Sequence, residues 1–96
     1  MTRVVRLSVR ARGDISRLIG FLVERDARAA GAARQAIAAA LASLADLPDH
    51  GKPISPTLPT HRELRVKFGR YGYAIRYRVK PDEVFVARVF HTRERR

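Results

Sequence analysis

The C-terminal third of the chain most constrains the fold, because apolar and basic side chains alternate along three consecutive stretches of it. Residues 61–96 read HRELRVKFGRYGYAIRYRVKPDEVFVARVFHTRERR. A period of two places successive side chains on opposite faces of a strand. The segments GRYG and KPDE interrupt the alternation and predict turns, so the region predicts a three-stranded antiparallel meander.

The alternation also assigns side chains to the two faces of this meander. The apolar face is predicted to carry Leu64, Val66, Phe68, Tyr73, Ile75, Tyr77, Val79, Phe85, Ala87 and Val89. The opposite face is predicted to carry Arg65, Lys67, Arg76, Arg78 and Arg88, with Arg93 and Arg95 of the tail beside them. One face should therefore pack against the rest of the chain, and the other should form an uncovered cationic surface.

The N-terminal half predicts one strand and two helices. Residues 3–9 alternate as a short strand with Val5, Leu7 and Val9 on one face, and Ser8 could also cap the helix that follows. Apolar residues then recur at helical spacing until about Glu24, and Asp26 is placed to cap a second, alanine-rich helix. This pattern predicts an antiparallel helical hairpin.

Four prolines separate the second helix from the meander. They lie in the segment LPDHGKPISPTLPT, residues 47–60. Because proline lacks a backbone donor and has a fixed φ, this density predicts an extended crossing without regular structure. The predicted fold class is therefore α+β, with a helical hairpin on one face of a four-stranded, mainly antiparallel sheet in one domain, residues 1–96.

Composition limits the chemistry available to the chain. With no cysteine and only three histidines among 96 residues, it predicts neither a disulfide framework nor a metal site, and no cofactor motif is present. No apolar run approaches the roughly 20 residues that cross a bilayer, and no signal peptide is evident. We therefore expect a cytoplasmic protein without a membrane partner.

The net charge of +11 is the strongest functional signal, and its distribution is uneven. Eleven Lys and Arg stand against four Asp and Glu from His61 onward, compared with nine against five before it. Such an excess is typical of proteins that bind a polyanion or an acidic protein. The alternative is a solvated arginine face that reflects coding bias alone.

In order and spacing, these pieces resemble the RelE/ParE superfamily of type II toxin–antitoxin toxins. The residues that carry the resemblance are LSVRARGDI, ALASLADLPDHG, RELRVKFGRYGYAIRYRV and EVFVARVFHTRER, which span nearly the whole chain. The resemblance implies that the first strand lies beside the last. It also implies a small cognate antitoxin as a hetero-oligomeric partner, and an acidic amphipathic segment of that antitoxin would suit the cationic face.

The resemblance implies one of two activities. RelE-like members are metal-independent ribonucleases that cut messenger RNA, typically in the ribosomal A site, whereas ParE-like members bind DNA gyrase and leave DNA broken. Arg65, Lys67 and Arg93 match basic positions of the ribonuclease pattern. Ala74, however, stands where that branch has an arginine, and the chain has no counterpart of its C-terminal tyrosine. These departures, the long hairpin and the FHTRE segment around His91 favour the ParE-like branch.

RNA cleavage by internal attack needs a base, an acid and cations for the phosphate. If the chain is a ribonuclease, the candidate residues are Arg65, Lys67, His91 and Arg93. Alternation places His91 on the apolar side, which favours a structural histidine that bonds a backbone group. Three further predictions concern neighbouring residues: Tyr73 and Tyr77 are core aromatics with hydroxyls that reach the surface, Tyr71 packs on a neighbouring strand, and Glu94, between Arg93 and Arg95, is part of a surface salt-bridge group and not a catalytic base.

The sequence therefore leaves three functions open. The leading hypothesis is a ParE-like gyrase poison, and the second is a RelE-like ribonuclease that acts on ribosome-bound messenger RNA. The third is a non-toxic basic module that binds nucleic acid, which requires only the charge.

Overall fold

The computed structural model describes residues 2–94 and shows two helices on one face of a five-stranded sheet. The elements, in chain order, are β1 (Val4–Leu7), α1 (Val9–Val23), α2 (Ala27–Ser43), β2 (Lys52–Ser55), β3 (Leu58–Phe68), β4 (Tyr71–Val79) and β5 (Glu83–His91). Within this part of the chain, neither helix has the length and apolar character needed to cross a membrane.

The strand order is β1-β5-β4-β3-β2. β3, β4 and β5 form the predicted antiparallel meander, and β1 pairs with β5 in parallel, which confirms that the first strand lies beside the last. A parallel neighbour requires a crossover connection, and the helical hairpin is part of the chain that makes it. The α+β prediction is therefore confirmed, but the sheet has one more strand than the sequence predicted.

Both helices begin at the predicted caps. The Ser8 hydroxyl accepts the Ala11 amide, and the Asp26 carboxylate accepts the amides of Arg28 and Ala29, which satisfies free donors of the first turns. Helix α1 ends at the cap residue Glu24, as predicted. The prediction that the first strand extends to residue 9 was wrong, because the Ser8 cap starts the helix and leaves Val9 exposed on it.

The core lies between the hairpin and one face of the sheet. Its helical side chains come from the apolar stripes of α1 and α2, and its sheet side chains come from alternate positions of β3, β4 and β5. The fully or nearly fully buried members include Ile37, Leu44, Ile75, Tyr77, Val84, Val86 and Val89. Because this face excludes water, it fixes which alternate side chains of each strand point outward.

The prediction that residues 47–60 lack regular structure was wrong. Lys52 and Pro53 pair with Glu63 and Arg62, so this segment contributes the antiparallel edge strand β2, and β3 begins already at Leu58. An edge strand tolerates proline because one side of its backbone pairs with no neighbour.

The predicted faces of the last strand were partly wrong because a bulge interrupts it. Arg76 pairs with Arg88, but the next residue of β4, Tyr77, pairs with Val86, so Ala87 is an extra residue in β5. The bulge shifts the alternation by one residue. Val84 and Val86 are therefore buried in the core together with Val89, whereas Phe85 lies on the opposite face.

Candidate functional site

The sheet face turned away from the helices, called the open face below, collects the predicted cationic side chains of the strands. Cross-strand pairing aligns one row of charged residues on it: Lys52 with Glu63, Glu63 with Arg76, and Arg76 with Arg88. Neighbouring rows bring Arg65, Lys67 and Arg78 onto the same face. The structure therefore places the five predicted strand cations on one face, and it adds Lys52 from β2.

Glu63 lies at the centre of this row and binds two of the arginines. Its Oε2 accepts Arg65 Nε at 3.0 Å, and its Oε1 accepts Arg76 Nε at 2.9 Å. The carboxylate is mostly buried, with 15% of its side chain exposed, whereas the two guanidinium groups are more exposed. Each arginine donates to Glu63 through its Nε in these bonds and not through its terminal amino groups.

Arg88 is held by a second carboxylate, contributed by α1. Its Nε and Nη2 donate to the Asp14 carboxylate at 2.8 and 3.1 Å, and the backbone amide of Val89 donates to the same group at 2.9 Å. Burial by itself would raise the pKa of Asp14, but the bonds from Arg88 and Val89 outweigh it and lower this pKa below its ordinary value. Arg88 therefore ties α1 to β5, and the prediction that it is an uncovered cation was wrong.

Three cations of the open face keep their charge uncompensated. Within residues 2–94, Lys52, Lys67 and Arg78 form no hydrogen bond or ion pair through their side chains, and all three are exposed. Lys52 of β2 lies at the end of the row that contains Glu63, and Lys67 of β3 and Arg78 of β4 lie in neighbouring rows. An anionic partner would meet these side chains without first having to displace a carboxylate.

Ala74 and Phe90 occupy the middle of the open face. Ala74 pairs with Arg65 on one side and Phe90 on the other, and it has no exposed surface. The Phe90 ring is 7% exposed, with the guanidinium carbons of Arg88 and Arg76 at 4.7 and 5.5 Å from its centre. The row that begins at Arg65 therefore continues on β4 and β5 with two buried apolar side chains and no charge.

His91 and Arg93 form a different cluster. His91 pairs with Tyr73 and Tyr73 with Val66, so His91 lies on the helix side of the sheet, whereas Arg65 and Lys67 flank Val66 and point to the open face. The structure does not bring the four candidate ribonuclease residues together.

The surroundings of His91 are aromatic. Its Nδ1 accepts the backbone amide of Arg93 at 3.2 Å, as expected for a structural histidine, and its ring lies edge-on to Tyr71 and Tyr73. Arg93 donates to the Tyr71 hydroxyl at 3.0 Å. These side chains line an apolar groove of about 440 Å³ together with residues of α1 such as Leu18 and Phe21.

Of two further site predictions, one is confirmed and one was wrong. Glu94 takes part in a salt bridge, with Arg17 of α1 at 2.6 Å, and the hydrogen bond from Arg17 lowers the pKa of Glu94. The Tyr77 hydroxyl does not reach the surface, because it donates to Pro48 O and accepts the Gly51 amide. Arg95 lies outside the described residues.

Sequence reasoning missed Glu63 and Asp14, the two carboxylates that neutralise the open face. The signal for Glu63 was present, since it precedes Arg65 by two residues and must share its face. Asp14 gave no such signal, because it is 74 residues from Arg88 in sequence. Among residues 2–94, no group of three His, Asp or Glu side chains could hold a metal ion.

Solved structures identify the class of this fold. The chain resembles the chromosomal ParDE toxin–antitoxin system from P. aeruginosa with a TM-score of 0.74 and 20% identity, over 95% of this chain and 97% of that chain. It also resembles the RelBE2 toxin–antitoxin complex from Mycobacterium tuberculosis with a TM-score of 0.61 and 23% identity, over 95% of this chain and 99% of that chain. The fold is that of the RelE/ParE toxins.

Sequence comparisons identify the family. Residues 5–96 match the model of the ParE toxin of the type II toxin–antitoxin system parDE. Two curated relatives come from Caulobacter vibrioides: Toxin RelE1 is 45% identical over the full length of both chains, and Toxin RelE3 is 41% identical over 96% of this chain and 97% of the relative. The chain belongs to the ParE toxin family, and it is a toxin of a type II toxin–antitoxin system.

Proposed function

We propose that this toxin inhibits bacterial growth by binding DNA gyrase in the cytoplasm and trapping cleaved DNA, and that a cognate antitoxin neutralises it. The observation that carries this proposal is Ala74, which lies where RelE-like ribonucleases have an arginine. It has no exposed surface and pairs with Phe90, which is 7% exposed, so the row that begins at Arg65 continues through buried apolar side chains without a second cation. Without that cation the row lacks a charge that would stabilise a phosphate in a cleavage reaction, which favours action by binding to a protein.

The position of His91 supports the same proposal. The candidate proton-transfer group lies on the helix side of the sheet, and the candidate phosphate-binding residues Arg65 and Lys67 lie on the open face. General acid–base catalysis requires these groups within hydrogen-bonding reach of one substrate. This arrangement favours action by binding.

Two observations support an antitoxin partner. The structures that this chain resembles include the RelBE2 toxin–antitoxin complex. The unpaired cations Lys52, Lys67 and Arg78 complement an acidic segment, which would fold as it binds. We expect the complex to be tight and partly sensitive to salt.

The test adds purified toxin to DNA gyrase with supercoiled plasmid. We expect cleaved DNA to accumulate with toxin concentration and supercoiling to stop. Unaltered supercoiling at a large excess of toxin would contradict the proposal. A Lys67→Ala, Arg78→Ala variant extends the test, because loss of two unpaired cations of the open face should weaken the effect.

A ribosome-dependent ribonuclease is the second candidate, because two relatives more than 40% identical to this chain are named RelE toxins. Arg65 and Lys67 of the open face would then bind phosphate, and Arg93 would add a third cation. This candidate predicts cuts within translated codons in a translation extract. An intact message at a toxin concentration that arrests growth would contradict it.

A further inference from the structure

Glu63 occupies the place on the open face where an external anion would bind. A groove of about 580 Å³ lies over it, lined by His50, Lys52, Glu63, Arg65 and Arg76 among others. Lys52, Arg65 and Arg76 bring three positive charges to this groove, and Glu63 brings the opposing negative charge. The groove therefore has the composition of an anion site that already contains an internal anion.

The geometry shows how Glu63 and an external anion compete. Both Glu63 oxygens are used, one by each arginine, at 3.0 and 2.9 Å. The terminal amino groups of the two guanidinium groups remain for a phosphate, but a phosphate bound there would lie within several ångströms of the carboxylate. Like charges at such distances repel appreciably even near a protein surface.

We propose that the groove over Glu63 is a binding site for the phosphodiester backbone of nucleic acid, and that Glu63 is the internal counter-ion that keeps its affinity low. The role of Glu63 is selectivity. A chain with a net charge of +11 attracts every nucleic acid in the cell, and the internal carboxylate suppresses this unspecific binding. Asp14 has a different role, because its buried carboxylate also binds the Val89 amide and holds α1 against β5.

The test replaces Glu63 with glutamine, which has the same shape without the charge. The probe is a short, fluorescently labelled single-stranded DNA of mixed sequence, which lacks the 2′-hydroxyl needed for cleavage by internal attack. We expect Glu63→Gln to tighten binding about three- to tenfold near physiological salt. The plot of log affinity against log salt concentration should steepen by about one unit, because one or two additional phosphates are neutralised.

Glu24→Gln is the matched control. It makes the same change in net charge at the exposed end of α1, where Glu24 forms no ion pair within residues 2–94. The affinity of the Glu24→Gln variant for the DNA should rise less than about twofold. Equal effects of Glu24→Gln and Glu63→Gln would overturn the proposal, and so would weaker binding by Glu63→Gln, since that result makes Glu63 a positioning group for the arginines.

A double-mutant cycle separates the site from the overall charge. In an Arg65→Ala, Arg76→Ala background, Glu63→Gln should tighten DNA binding no more than Glu24→Gln does, because its partners are gone. Retention of the full effect would overturn the proposal. The proposal would also be overturned if Glu63→Gln tightened binding of an acidic peptide but not binding of DNA. Thermal melts confirm that each variant is folded, and Glu63→Ala provides a second neutral variant. Binding of this DNA requires no growth arrest, so the result does not depend on the target of the toxin.

Discussion

The two faces of the sheet use the same strands but depend on different forces. On the helix side, Tyr73, Ile75 and Tyr77 of β4 are at most 2% exposed, and their burial stabilises the fold. On the open face, Arg76 of the same strand is partly exposed and pairs with Glu63, whereas Arg78 is exposed and forms no ion pair within residues 2–94. The covered face therefore sets the register, and the open face inherits its charge pattern from that register. The predictions below test this separation of stability from binding.

The largest stability effect is expected on the covered face. Ile75 has no exposed surface, and Ile75→Ala would leave a cavity among Leu64, Val89 and the helices. We expect the free energy of unfolding to fall by about 2–5 kcal/mol, measured by denaturant titration. A loss below about 1 kcal/mol would show that the covered face does not carry the stability.

Asp14→Asn tests a carboxylate of α1 that connects this helix to β5. The variant loses the charge that binds Arg88 but keeps an oxygen for the Val89 amide, so we expect a loss of about 2 kcal/mol at neutral pH. Chemical unfolding measured at several pH values also tests the linkage. The pKa of Asp14 is lower in the folded protein than in the unfolded chain, where it is about 3.9.

The direction of the pH dependence follows from the lower pKa of Asp14 in the folded protein. The contribution of the Asp14 charge is fully present above the unfolded pKa and is lost as the pH falls through the folded pKa. The stability gap between the wild type and Asp14→Asn should therefore be constant from about pH 5 upward and shrink in acid. A gap that does not change with pH would contradict this linkage.

Tyr77→Phe tests the contact between the covered face and the proline-rich segment. The substitution removes a hydroxyl that bonds Pro48 O at 2.7 Å and the buried Gly51 amide at 2.8 Å. We expect a loss of about 1–2 kcal/mol, because the Gly51 amide would lack a partner. The control is Tyr71→Phe, at a tyrosine that is 44% exposed, which should change stability much less. Equal losses for the two variants would show that these bonds contribute nothing specific.

The smallest stability effect is expected on the open face. Arg78 is exposed and forms no hydrogen bond or ion pair within residues 2–94, so Arg78→Ala should change the free energy of unfolding by less than about 0.5 kcal/mol. The same variant should weaken binding of an acidic partner or of DNA, with a smaller dependence on salt. A larger loss of stability would show that the two faces are not separable in this way.

Sequence patterns predicted the elements whose signals are local. Ser8 and Asp26 are capping residues beside helical stripes, and residues 64–68 and 73–79 alternate without interruption, so the helix starts and the two faces of β3 and β4 could be predicted. Edge strand β2 could not be predicted, because Pro53 argues against a strand unless the strand is known to lie at the edge of the sheet. Residue 87 is an alanine, which fits either face, so nothing local marks the bulge in β5.

In the candidate site, too, the features with a local sequence signal were predicted and those that depend on packing were not. Arg65, Lys67, Arg76 and Arg78 follow the alternation and share the open face. Arg88 binds Asp14, and the two residues lie close together only because α1 packs on β5. The separation of His91 from Arg65 follows directly from the alternation within the strands, whereas the groove beside His91 depends on where α1 lies.

Growth arrest by an open-face variant is the most direct test of the claim that the toxin acts through its unpaired cations. Bacteria would express Lys67→Ala, Arg78→Ala without an antitoxin, with Arg28→Ala, Arg34→Ala on α2 as the control that removes the same charge. At equal soluble protein levels, we predict that the open-face variant no longer arrests growth and that the control still does. Full arrest by the open-face variant, with loss of arrest in the α2 control, would contradict the account and move the functional surface to the hairpin.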